Sequence, residues 1–150
     1  MKYIGTYTAR GQIRTDLSVN RVNVFDGNYK TGYRLTRVVI AQADIDENTS
    51  VDGIAAKVVT TDDPAKNAAT WDWSNNQEVG WAYWCHDANF ISPITFSEVD
   101  RENLIIEDCY ITATRSGGGN VKVNYLLEFD KFELEPLRGT LSMVQNRSQG

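Results

Sequence analysis

One histidine, two cysteines, two methionines and three prolines are all that the 150 residues supply of those types. Each scarcity excludes something. A lone imidazole, His86, rules out a metal site built from several histidines, and any Ser-His-Asp or Cys-His arrangement would have to use it. Cys85 and Cys109 are too few for a disulfide framework and stand at no metal-ligand spacing. Both fall in apolar, strand-like segments, where a reduced thiol behaves as a small hydrophobe. A basic excess is lacking too: fifteen Lys and Arg against twenty Asp and Glu leave a formal charge of −5. The basic residues are scattered singly, so a nucleic-acid partner is not expected. No run approaches the roughly 18 apolar residues of a membrane span, and the opening MKYIGTYTARG has no apolar leader. Neither a membrane partner nor export is expected, and synthesis in the cytoplasm is.

Helical periodicity is equally scarce. Only DDPAKNAAT, 62–70, has the pattern of a short helix. What fills the chain instead is period-two alternation, the mark of strands with one buried face. In QIRTDLSV, Ile13, Thr15, Leu17 and Val19 face one way. In YRLTRVVIAQADI, the odd positions Leu35, Val39, Ala41, Ala43 and Ile45 make an apolar face interrupted by Arg37. In NVKVNYLLEF, Val121, Val123, Tyr125, Leu127 and Phe129 make an inner face. Phe132 and Leu134 then fall on even positions, which predicts a bulge or bend near Asp130 and Lys131. Turn signals recur between the runs, and Ser116-Gly117-Gly118-Gly119 predicts a hairpin between two long strands. The expectation is one all-β domain, 1–150: a single antiparallel β-sandwich, jelly-roll-like, of about eight or nine strands.

All four tryptophans lie in WDWSNNQEVGWAYW, 71–84. Alternation places Trp71 and Trp73 on one strand face. Val79, Trp81 and Tyr83 share a face of the next segment, with Gly80, Ala82 and Trp84 on its other face. A hairpin that buries these aromatics in the core is the preferred reading. The alternative is a platform for sugar rings, with Trp71, Trp73 and Trp84 as its ligand-binding residues.

No motif specifies a reaction. Cys85-His86-Asp87 resembles a triad, but strand neighbours point to opposite faces. The series from Asp44 through Asp46 to Asn48 opens like a calcium loop, yet Thr49 stands where the loop needs glycine and Ala55 where it needs glutamate. The glycine run lacks the lysine of a phosphate loop. Asp62 and Asp63 sit beside Pro64 with nothing to separate their acidities. Catalytic residues, cofactors and metal ligands are therefore not expected.

The chain closes on a polar tail, and Gly139 to Val144 is predicted to form a final strand. Asn146, Arg147, Ser148, Gln149 and Gly150 bury too little apolar area to offset their own ordering. They are expected to contact another chain. The stretches QEVGWAYW, ISPITFSEVDRENLIIEDCYITATRS, VNYLLEFDKFEL and GTLSMVQNRSQG resemble small all-β proteins encoded among the structural genes of marine and environmental bacteriophages. The resemblance implies a virion component, of minor capsid or capsid-decorating type, and carries no catalytic residues with it. Its partners would be other virion proteins or copies of itself, as a homo-oligomer, with the virion as its location. A carbohydrate-binding module is the competing expectation.

Overall fold

The computed structural model describes residues 1–24, 27, 30–43, 53–63, 70–86 and 93–134. Among them are nine strands and no helix. In chain order these are β1 (Lys2–Arg14), β2 (Asn20–Val22), β3 (Thr31–Gln42), β4 (Ile54–Val59), β5 (Glu78–Cys85), β6 (Ile94–Val99), β7 (Leu104–Ile105), β8 (Cys109–Arg115) and β9 (Lys122–Glu133). They form two antiparallel sheets, sheet A in the order β1-β9-β3-β7 and sheet B in the order β2-β8-β4-β5-β6. The all-β sandwich expected from the alternation is the fold. The short-helix pattern at 62–70, the segment 44–52, the predicted strand 139–144 and the tail 146–150 lie wholly or mostly outside the described residues.

The pairings are nested. β1 pairs with β9, β2 with β8, β3 with β7 and β4 with β5, as if one long antiparallel ribbon had been rolled up. Contacts of β9 with β3 and of β8 with β4 then knit the rolled ribbon into two sheets. β6 is an additional edge strand beside β5.

One core lies between the sheets. Leu35, Val38, Leu127 and Phe129 from sheet A meet Ile54, Val58, Ile111 and Trp84 from sheet B. Each such apolar side chain contributes about 1.5–3 kcal/mol by leaving water. The sheets approach closely at Gly80, where a Cβ would stand 2.7 Å from Leu35 Cδ2. A side chain at that point has no room.

Four local expectations are corrected. In β3 the register shifts between Leu35 and Arg37, so Thr36 is a bulge residue. The inner face therefore runs through Tyr33 and Leu35, then Val38 and Ile40, while Val39 and Ala41 turn outward. Arg37 interrupts nothing, because it lies outside and pairs with Glu128 at 3.3 Å. In β9 there is no phase change: pairing with β3 stays in step through Asp130 and Lys131. Phe132 and Leu134 bury with Ile106 in a second, smaller cluster instead. That cluster is apolar and so mimics a bulge in the sequence.

The glycine run joins no hairpin, since β8 belongs to sheet B and β9 to sheet A. Gly117, Gly118 and Gly119 have φ of 80°, 82° and 97°, and these left-handed residues carry the chain across the sandwich. Finally, the alternation of QIRTDLSV ends early. Ile13 and Thr15 are buried, but Leu17 is exposed with φ of 63°, in a turn where Asp16 Oδ1 accepts from Ser18 N at 3.0 Å.

Candidate functional site

Outward-facing residues of sheet B carry the most chemistry. Ala56 and Val58 of β4 face the core, so Lys57 between them faces out, opposite Trp81 on β5 and Thr112 on β8. A lysine on an outer face ordinarily reaches water. Here the segment Thr70–Gln77 folds over it, and Lys57 and Glu78 are 3% and 2% exposed.

This segment is not the strand that the spacing of Trp71 and Trp73 predicts. β5 pairs with β4 and β6, and 71–77 forms turns. The reason is local. Asp72 Oδ1 accepts from Ser74 N at 3.0 Å and from its Oγ at 2.5 Å, and Asn75 Oδ1 accepts from Gln77 N at 3.0 Å. Such side chains give the backbone an alternative to ladder hydrogen bonds.

Glu78 anchors the turn. Its Oε1 accepts from Asp72 N and from Trp81 Nε1, both at 2.9 Å, and its Oε2 accepts from Lys57 Nζ at 3.2 Å. Lys57 Nζ also donates to the Thr70 carbonyl at 3.0 Å. A buried ion pair thus pins the covering segment at Thr70 and Asp72, on either side of Trp71.

The pinned segment displays aromatic rings. Trp71 stacks on Phe96 of β6 with centroids 5.7 Å apart and planes 27° from parallel. Trp73 meets Trp81 edge-on at 5.8 Å and is 65% exposed. Trp81, expected in the core, is buried at 7% exposure, but on the outer face beneath Trp73. Trp84 departs from the sugar-platform set. It lies on the inner face at 5% exposure among the core residues, with its ring stacked on His86 at 6.3 Å. The structure places Trp71 and Trp73 on one covering segment, each against a different ring, and adds Phe96, which the tryptophan spacing could not indicate. Rigid flat rings at a surface stack against apolar faces of a ligand or a partner.

Of the other sequence candidates, Cys85 and Cys109 are buried and form no disulfide among the described residues. Burial, reinforced by the Asp108 carboxylate, pushes the Cys109 thiol up to about 12. Asp87, Asp44, Asp46 and Asn48 lie outside the described residues, as do Asn146, Arg147, Ser148, Gln149 and Gly150. Among the described residues no three His, Cys, Asp or Glu side chains gather as metal ligands would. Comparison with protein-family models, curated proteins and solved structures finds no match.

Proposed function

We propose that the chain is a non-enzymatic structural subunit of a bacteriophage virion, a minor capsid or capsid-decorating protein that acts through protein–protein assembly. The nested strand pairing carries this reading. With β6 set aside, the sheets read 1-9-3-7 and 2-8-4-5, the order of a rolled antiparallel ribbon. That is a jelly-roll-like order, an architecture used by viral capsid and lectin domains. Fold alone does not assign function, so the surface must support it as well.

It does so at the edges. Among the described residues the exposed large hydrophobics are Met1, Tyr3, Ile4, Tyr7, Leu17, Trp73, Ile94 and Phe96. Tyr3, Ile4 and Tyr7 lie on β1 and Ile94 and Phe96 on β6, both edge strands. Uncovered apolar edges invite pairing with another chain. Sedimentation of the purified protein, alone and with a phage capsid fraction, tests the reading. Wild-type protein is expected to associate, and Ile4→Lys with Ile94→Lys to prevent it without lowering the melting temperature. A chain that stays monomeric at high concentration and ignores capsids overturns the proposal.

A second reading has its own observation. The Trp71–Phe96 stack beside exposed Trp73 is a platform suited to pyranose rings, which supports a carbohydrate-binding module. Loss of glycan retention in Trp73→Ala, with assembly intact, would favour it.

A further inference from the structure

The outer face of sheet A has a charge opposite to that of the chain. Ala9, Ile13, Val123 and Leu127 are buried in the core, so the alternate residues of β1 and β9 point out. With β3 included, the outward cations are Arg10, Arg14, Arg34, Arg37 and Lys122, and the outward carboxylates are Glu128 and Asp130. Five against two is a local excess of three positive charges in a chain of net charge −5.

That excess is concentrated at one end. Arg37 is matched by Glu128, and Arg34 lies over the Phe132 ring at 4.9 Å. Among the described residues Arg10, Arg14 and Lys122 form no ion pair. Arg14 and Lys122 are direct cross-strand partners. Like charges held opposite one another destabilise a sheet, unless something anionic lies over them. Nearby Asp16 offsets only part of this charge: its Oδ1 is engaged by Ser18, whose hydrogen bonds are the main reason its pKa is held down, with attraction to Arg14 a smaller cause.

Arg10 borders a shallow groove of ≈ 450 Å³ with Val39, Ala41 and Leu126 in its floor and Gln12 and Asn124 along it. The Gln12 amide donates to Asn124 Oδ1 at 2.9 Å, which holds both side chains in place. A second concavity of ≈ 290 Å³ adjoins it at Gln12 and is lined by Arg14 and Lys122, with Asp16 beside them. An apolar floor with a cationic rim fits a protruding acidic turn.

The chain has such a turn. At the end of β6 and in the turn that leads to β7, Glu98, Asp100 and Glu102 lie within five residues, with Glu98 and Glu102 exposed. Asp100 Oδ1 accepts from Glu102 N at 3.0 Å, which fixes the turn. Arg101, the one cation there, reaches back to the Thr36 carbonyl at 3.3 Å. We infer that the Arg10–Arg14–Lys122 face of one copy receives the Glu98–Glu102 turn of a second copy. The inference rests on the assembly reading and names the contact.

Donor and acceptor are different surfaces. The groove spans β1, β9 and the Val39–Ala41 end of β3, whereas the turn packs against β3 at Thr36. The contact is therefore head-to-tail, and repeats into a ring or an open array. Nucleic acid suits the groove less well, because Tyr125, the one aromatic residue that lines it, pairs with Gly11 and Ile40 on the core-facing side and offers no outward ring for a base to stack on.

Sedimentation velocity tests this directly. Between about 0.01 M and 1 M salt, where the Debye length falls from about 30 Å to about 3 Å, self-association should weaken by about tenfold or more. Arg10→Glu/Arg14→Glu/Lys122→Glu at low salt should do the same, as should Glu98→Lys/Glu102→Lys. Mixing the two charge-reversed proteins should restore association. Association that survives both the salt and the triple variant overturns the contact while leaving assembly through the apolar edges intact. Wild-type protein that never self-associates overturns it too. So does a triple variant that loses only the binding of a single-stranded oligonucleotide, which assigns the face to a polyanion. Failure to join capsids, by contrast, would count against the virion reading itself.

Discussion

Lys57 and Glu78 are buried 3.2 Å apart on a face that a sandwich ordinarily gives to water. Desolvating such a pair costs several kcal/mol per ion, and their attraction offsets this only where the remaining hydrogen bonds are also satisfied. Here they are, by the Thr70 carbonyl, Asp72 N and Trp81 Nε1. Removing one partner, as in Lys57→Met or Glu78→Gln, should therefore cost about 3–5 kcal/mol, measured by urea unfolding. Trp81→Ala should cost a similar 3–5 kcal/mol or so, since a large side chain leaves a cavity. Trp73→Ala should cost far less, its ring being 65% exposed. If Trp73 and Trp81 prove equally costly, the segment is core rather than display. At this scale the sequence was half legible. A single lysine inside the apolar run of β4 marks something unusual, but its partner lies 21 residues away across a turn that alternation does not reveal.

Elements were more legible than their joints. Alternation located the long strands and the inner face of β9, because a half-buried strand must repeat every two residues. It misassigned the second half of β3, where one bulge residue, Thr36, moves the apolar face from odd to even positions. It also made a hairpin of Ser116–Gly119, since three glycines signal a turn without saying which sheets it joins. Gly80 is the converse case. Its position in β5 looks incidental in the sequence, and only the packing explains it. Gly80→Ala would put a methyl group 2.7 Å from Leu35 Cδ2 in a filled core. Overpacking of this kind should destabilise by about 1–3 kcal/mol, read as a lower urea midpoint at unchanged slope. A neutral result would mean that the sheets have room to separate there.

Across the whole molecule, both sheets turn aliphatic faces toward one core, and the groups in and around it resist ionisation. Cys109 is fully buried in that core, and burial first, then the Asp108 carboxylate, lifts its thiol to about 12. Burial likewise raises Tyr83, Tyr110 and Tyr125 above the ordinary phenol value. A group whose folded pKa lies above its unfolded one supports the fold fully while both states hold the proton. That support is lost as the pH climbs from the unfolded value toward the folded one. For the thiol the window opens at about 8.5, and for the phenols at about 10. The melting temperature should therefore decline in two stages on the alkaline side. Cys109→Ala should lower it by a constant amount at neutral pH yet flatten the first stage, leaving the second to the tyrosines. Thermal melts of both proteins from pH 7 to about 11 decide it. Curves that stay parallel throughout would mean that the Cys109 thiol ionises as easily in the fold as out of it, and that this part of the core admits water.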